Sequence, residues 1–201
     1  MGGDGIITLP QLRAVRRKHP NLVALHIDAH TDAYPDIPDD PFNTGSTFTH
    51  AAREGLIDVS RSIHVGARGT TYEPRAHAHA KELGYEMIDA QALFSRGLEQ
   101  TAAYIHERMK GRPVFFCWDM DFFDPSAAPG VCIPTWGVAN ARESFALLES
   151  LYGLDFVAFD INNVSPPHDV GGMTSHLAGM VMVTWLHLAV TALKKRGLIK
   201  G

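Results

Sequence analysis

One apolar run that ends in evenly spaced polar residues constrains the fold of this chain more than any other feature. Residues 22–25 read LVAL and have the length and flanks of a buried strand. Four polar residues follow at alternate positions, so on an extended backbone their side chains point to the same side. They are His26, Asp28, His30 and Asp32. This register indicates a site for a hard divalent cation such as Mn, Mg or Ni, and a polar strand end without a metal is the alternative.

A second apolar run, at residues 114–118, ends in the same way. Asp119 and Asp121 share one face of this strand, and Asp124–Pro125 turn the chain away. A buried carboxylate without a partner is costly, and like charges nearby increase the cost. The two strand ends together contribute four acids, Asp28, Asp32, Asp119 and Asp121. Four carboxylates carry a charge of −4, so one divalent ion leaves −2 and two ions give neutrality. The residues therefore predict a dinuclear metal centre.

Apolar strand patterns alternate with helical patterns along the whole chain. Helices are predicted at residues 9–19, 48–54, 74–83, 98–110, 141–152 and 175–196, and further strands at 62–67, 85–88 and 156–161. This alternation predicts a mainly parallel central sheet with helices on both faces, a three-layer α/β/α fold. In such folds binding sites lie at the carboxyl ends of the strands, where the acids fall.

Composition excludes several other classes of protein. A length of 201 residues fits one domain with a sizeable core. The formal charge of −4 provides no basic field for nucleic acid. No apolar run reaches the roughly 18 residues of a membrane span, and no signal-peptide pattern is present. Cys117 and Cys132 are too few for a disulfide scaffold, so we expect a cytoplasmic protein with free thiols.

Four segments resemble, in the same order, the motifs of the ureohydrolase family, which includes arginase, agmatinase and guanidinobutyrase. The family motifs are GGDH, DAHxD, DxDxxDP and FDxxEVxPxxD. The corresponding segments are GGDG at residues 2–5, DAHTD at 28–32, DMDFFDP at 119–125 and FDINNVSPPHD at 159–169. The resemblance runs from residue 2 to the end of the chain, and this combination of motifs is highly specific. It implies an arginase-like fold and metal-dependent hydrolysis of a guanidino C–N bond.

The resemblance also implies how the metal ligands divide between two sites. One ion, Mn or Ni, would be held by Asp28, His30, Asp119 and Asp121. The other would be held by Asp28, Asp32, Asp119 and the histidine of GGDH, which falls here on Gly5. Asp32 would in addition hydrogen-bond the attacking water, which makes it the catalytic candidate. We therefore expect one complete site and one site weakened by Gly5, with His26 in a supporting position.

Two further departures fall in the implied substrate pocket. Thr44 stands where the family's SHGT loop has its histidine, and Asn163 stands where the family has the glutamate that holds the cationic end of the substrate. His50 could replace the missing loop histidine, although a position on a helix surface is the simpler interpretation. Together with Gly5, these substitutions predict an impaired or altered site.

Two functions follow from the resemblance and the departures. The favoured prediction is a catalytically impaired subunit that supports an intact paralogue in a mixed trimer or hexamer. The alternative is an active agmatinase- or guanidinobutyrase-like hydrolase that releases urea from a small guanidino compound. The family pattern also implies a homo- or hetero-oligomer. Because the GGDG motif stands at the start of the chain, we expect the domain of residues 1–201 to lack N-terminal strands, which would expose a sheet edge.

Overall fold

Five parallel strands form the central sheet, and their order places the two strands that end in the acidic residues side by side. The computed structural model describes residues 3–200, so Gly2 of the GGDG motif lies outside the described residues. The strands are β1 (Val23–Ile27), β2 (Ile63–Val65), β3 (Glu86–Ile88), β4 (Pro113–Asp119) and β5 (Asp155–Asn162). They pair in the order β3-β2-β1-β4-β5, and every pair is parallel. The predicted parallel sheet is confirmed.

Helices cover both faces of this sheet. They are α1 (Thr8–Arg16), α2 (Thr47–Arg53), α3 (Ala76–Glu82), α4 (Ala90–Arg96), α5 (Leu98–Met109), α6 (Ala141–Ser150) and α7 (Met173–Lys195). Successive residues of a strand point to opposite faces, so Phe115 joins one buried cluster with side chains of α1, α2 and α3. Phe116 joins the other cluster, with side chains of α4 to α7. The three-layer α/β/α prediction is confirmed.

The register between β1 and β4 brings the acidic strand ends together. Ile27 of β1 lies beside Trp118 of β4, so the residues that follow, Asp28 and Asp119, emerge at the same edge of the sheet. Asp119 in turn lies beside Asn162 of β5, which places Asn163 next to the acids. The carboxyl ends of three neighbouring strands therefore form one site, as expected for a parallel sheet.

The sequence prediction missed α4. Asp89 caps this helix by accepting a hydrogen bond from the backbone N–H of Ala92, and Gly97, at φ 81°, separates α4 from α5. Only a residue without a side chain adopts that backbone conformation readily. An acidic cap followed by a glycine stop was therefore the signal that could have revealed the helix.

α7 covers nearly the residues predicted from the sequence, 175–196, and begins two residues earlier. Its mean hydropathy reaches 1.5 over a window long enough to cross a membrane, so by length and composition the expectation that no such segment exists is wrong for this helix. One side of α7 packs on the sheet, where Trp185 stacks on Phe159 with 4.4 Å between ring centroids. The other side exposes Met180, Val183 and Leu186.

β5 forms one edge of the sheet. It pairs with β4 alone within residues 3–200, and its opposite edge has no strand partner in that part of the chain. The expectation that missing N-terminal strands expose a sheet edge stays a prediction.

Phe116 provides a test of how strongly the core supports the sheet. Its ring is fully buried and stacks on Phe156 at 5.3 Å. We expect Phe116→Ala to lower the free energy of unfolding by about 3–5 kcal/mol, because it removes buried area and leaves a cavity. Phe94→Ala is the matched control, since Phe94 is 57% exposed and its loss should cost less than about 0.5 kcal/mol. Urea unfolding of both variants measures the difference, and equal costs would contradict this account of the core.

Candidate metal centre

The predicted site residues converge on one cavity at the carboxyl ends of β1, β4 and β5. The cavity has a volume of about 270 Å³. Its lining includes six of the residues singled out in the sequence, His30, Asp32, Thr44, Asp119, Asp121 and Asn163, together with Gly5. Asp28 lies beneath them and is almost completely buried. The structure thus brings together all the residues that the motifs indicated.

The first group of potential ligands surrounds His30. Its Nδ1 lies 3.0 Å from Oδ2 of Asp121 and 3.4 Å from Oδ1 of Asp28. One ligand atom from each of these residues lies within 4.8 Å of the others, close enough to share an ion. Asp119 is held next to this group by the backbone N–H of Asp121, which donates to its Oδ1 at 2.7 Å. Two carboxylates and an imidazole are a donor set that suits Mn or a similar divalent ion.

Backbone conformation aims the remaining two side chains at the cavity. Asp32 has φ 45° and Asn163 has φ 68°, both in the left-handed region. This conformation is uncommon outside glycine, although Asn and Asp tolerate it better than most residues. Strained residues of this kind concentrate at functional sites. Phe48 fixes the backbone at Asp32, because its N–H donates to the Asp32 carbonyl at 2.7 Å.

The close spacing of the buried carboxylates changes their pKa values. Burial raises the pKa of Asp32 and of Asp119 well above the ordinary value, and the charges of neighbouring acids raise both further. Burial and the nearby Asp28 also raise the pKa of Asp121, to about 6. Without a cation, Asp32 and Asp119 therefore favour their protonated forms, whereas Asp121 takes up a proton only as the pH falls through about 6.

The two imidazoles beside Asp28 have the opposite effect. Burial raises the pKa of Asp28, but the contacts with His26 and His30 outweigh it and hold the pKa well below the ordinary value. Burial likewise lowers the pKa of His30, yet the contacts with Asp121 and Asp28 raise it to about 11. A protonated His30 therefore balances part of the acidic charge when no metal is bound.

Two of the departures from the family motifs are in contact. A Cβ added at Gly5 would overlap with Oγ1 of Thr44 and would lie 3.4 Å from Oδ2 of Asp32. The Thr44 hydroxyl therefore occupies the space into which a side chain at position 5 would project. The two substitutions form one local change, which the separate motifs did not reveal.

Asn163 contacts the acids directly. Its Nδ2 donates to Oδ1 of Asp119 at 2.9 Å and to Oδ2 of Asp121 at 2.8 Å. Its Oδ1 accepts from the backbone N–H of Cys132 at 3.0 Å. A glutamate would add a further negative charge at this point, whereas the amide presents two N–H groups to the carboxylates. Asn163 therefore forms the inner wall of the cavity.

Sequence reasoning missed two buried supports of the site. His64 lies behind the cavity, with its Nδ1 2.8 Å from Nδ1 of His26. Arg68 donates to the carbonyl oxygens of Asp121, at 2.8 Å, and Thr135, at 2.6 Å, and so holds the loop after β4. Neither residue belongs to a motif, and both act through contacts that join distant parts of the chain.

His50 does not replace the missing loop histidine. Its Nε2 lies 2.6 Å from the carbonyl oxygen of Pro41, and its ring stacks on Phe42. It is not among the residues that line the cavity. The simpler interpretation, a position on the helix surface, agrees with this geometry.

Metal binding at this centre should release protons. At neutral pH a His30 with a pKa of about 11 carries a proton that a bound ion must displace. Asp121, with a pKa of about 6, adds a further proton as the pH falls through that value. We expect the affinity for Mn²⁺ to rise with pH and to fall below pH of about 6. Calorimetric titration in buffers of different protonation enthalpy measures the release, and a pH-independent affinity without proton release would contradict it.

Known proteins resemble this chain over nearly its whole length. A guanidinopropionase from Pseudomonas aeruginosa is 36% identical over 189 residues, which make up 94% of this chain and 59% of that protein. An agmatinase from Neisseria meningitidis is 34% identical over 188 residues, 94% of this chain and 58% of that protein. The chain therefore spans about three fifths of the length of these relatives.

Structural similarity leads to the same group of proteins. The proclavaminate amidino hydrolase of Streptomyces clavuligerus superimposes with a TM-score of 0.88 at 35% identity, over 95% of this chain and 63% of that structure. The model of the arginase family matches residues 1–187. The metal-ligand motifs, the parallel sheet and these similarities agree, and the chain belongs to the arginase family, the ureohydrolases.

Proposed function

We propose that this chain is a metal-dependent amidinohydrolase, which cleaves a C–N bond of a small guanidino compound and releases urea. The observation that carries the proposal is the convergence of His30, Asp32, Asp119 and Asp121 on one cavity, with Asp28 buried in contact with His30. The relatives named guanidinopropionase and agmatinase support this reaction class. The chain matches only about three fifths of each, so the activity is inferred from the site.

The residues of the cavity fit a divalent metal. Oδ2 of Asp28 is buried and accepts no hydrogen bond from the described residues, which suits an atom reserved for a cation. Membership of the arginase family supports the same conclusion, and we expect Mn or Ni. When bound, the metal would supply the Lewis acidity that makes water nucleophilic at neutral pH.

The protein residues would position and protonate the reactants. Asp32 lines the cavity, where its carboxylate would accept a proton from the attacking water and pass it to the leaving nitrogen. The Thr44 hydroxyl lines the same cavity and can hydrogen-bond an amidine nitrogen. Asn163 fixes the orientation of Asp119 and Asp121 on the opposite wall.

Charge in the cavity bears on the choice of substrate. The described residues that line it include Asp4 but no lysine or arginine. A carboxylate at the far end of a substrate would find no ionic partner there, whereas an amine or a neutral group would not need one. We therefore propose agmatine-like substrates in preference to guanidino acids.

Urea release across a small panel tests this proposal. We expect the Mn²⁺-loaded chain to hydrolyse agmatine with a larger kcat/KM than guanidinobutyrate or guanidinopropionate. Asp121→Asn is the inactive control, since it removes a ligand carboxylate while preserving size. Urea release equal to that of the control, with every compound and with full metal loading, would contradict the proposal.

A second candidate function is a non-catalytic subunit that supports an intact paralogue in a mixed trimer or hexamer. It is favoured by the contact between Gly5 and Thr44, because a histidine at the family's ligand position would require the Thr44 side chain to move. Family members are commonly oligomeric, which makes mixed assembly feasible.

Co-expression with an intact agmatinase distinguishes the two functions. If the supporting role is correct, this chain should co-purify with the intact enzyme and raise its activity, while releasing no urea alone. The Asp121→Asn variant should then stimulate equally well, because support would not need this metal centre. If the chain is a hydrolase in its own right, urea release should appear without the second protein and disappear in the variant.

A further inference from the structure

The side of β1 that faces the acids carries an imidazole, His26, to which the family resemblance assigns a supporting position. His26 is almost completely buried, and its Nε2 lies 2.9 Å from Oδ2 of Asp28. Its ring packs against Phe48, with 4.3 Å between the ring centroids. The imidazole is therefore fixed in place beside the acids.

The contact between His26 and Asp28 differs from an ordinary hydrogen bond. The two atoms are close, yet Oδ2 of Asp28 accepts no aligned hydrogen bond from any described residue. His30 and Asp121 show a similar spacing, with Nδ1 and Oδ2 3.0 Å apart. Adjacent ligands of an octahedral ion at about 2.1 Å lie about 3 Å apart, so both spacings fit atoms that face a shared ion.

Asp28 divides its two oxygens between the two imidazoles. Oδ1 lies 3.4 Å from Nδ1 of His30, and Oδ2 lies 2.9 Å from Nε2 of His26. Ligand atoms of His26, Asp28 and Asp32 lie within 4.8 Å of one another, as do those of the group around His30. A carboxylate placed in this way can bridge two ions, one on each side.

The far nitrogen of His26 is also held. Its Nδ1 lies 2.8 Å from Nδ1 of His64, on the neighbouring strand. Metal-ligating histidines usually have the second ring nitrogen fixed by such a partner. If Nε2 of His26 presents its lone pair to an ion, Nδ1 carries the proton and donates it to His64.

We propose that His26, together with Asp28 and Asp32, binds the second metal ion and supplies the nitrogen ligand that Gly5 cannot provide. This inference deepens the proposed function, because it concerns the same centre. Imidazole favours Mn, Ni, Zn and similar ions over Ca, so the site should take a transition metal. Thr44 explains why the ligand comes from β1, since its hydroxyl fills the space next to Gly5.

His26→Phe tests the proposal, because it keeps a ring against Phe48 and removes both nitrogens. We expect the unaltered chain to bind two Mn²⁺ ions and to show the electron paramagnetic resonance of an exchange-coupled pair. The variant should bind one ion and show an uncoupled signal. His106→Phe is the matched control, since His106 contacts the carbonyl of Ser150 far from the cavity, and it should keep both ions.

A rescue experiment makes the test specific. In the His26→Phe background, Gly5→His with Thr44→Ala should restore the second ion, because the smaller side chain frees the space at position 5. Gly5→His without Thr44→Ala should restore nothing. Two ions bound by His26→Phe with unchanged affinity, or a single ion bound by the unaltered chain, would overturn the proposal.

A spectroscopic measurement on the unaltered chain covers the case in which His26→Phe fails to fold. Isotope-edited NMR of the histidine rings during titration with diamagnetic Zn²⁺ should show that Nε2 of His26 binds the metal. A retained Nε2–H at full loading would overturn the proposal. All these readouts are independent of urea release, so a metal-loaded but inactive chain would contradict the proposed function while leaving this inference intact.

Discussion

The structure depends on one electrostatic constraint: four buried carboxylates meet at the ends of two neighbouring parallel strands. Burial and mutual repulsion raise the pKa of Asp32, Asp119 and Asp121, since burial denies them water and each acid opposes the ionisation of the next. Three features offset this repulsion within the chain: a protonated His30, the two N–H groups of Asn163 and backbone donors. Each of these features presents positive charge or an N–H donor to the carboxylates, as a bound cation would present its charge, so the site is organised around positive charge.

The departures from the family motifs make sense as a connected set of contacts. Gly5 and Thr44 are sterically linked, because the threonine hydroxyl fills the space that a larger side chain at position 5 would occupy. Asn163 replaces a negative group with a neutral one exactly where negative charge is already concentrated, beside Asp119 and Asp121. The carboxylates of Asp28, Asp119 and Asp121 and the imidazole of His30 still converge at one edge of the sheet.

Local patterns in the sequence were sufficient to predict the parallel sheet and the shared strand edge. The alternation of His26, Asp28 and His30 determines a common face, and the apolar residues before it determine a buried strand. Contacts between distant segments were beyond such reasoning. The pairing of His26 with His64 depends on the register between β1 and β2, and the left-handed backbone at Asp32 depends on Phe48. Periodicity carries no information about either.

The uncovered side of α7 has a consequence for how this polypeptide behaves at high concentration. Met180, Val183 and Leu186 face water along the same helix, and no described part of the chain shields them. Water gains entropy when two such apolar surfaces come into contact, so the molecules tend to self-associate as the solution is concentrated. The exposed side of this helix thus favours self-association, which dilution or mild detergent opposes.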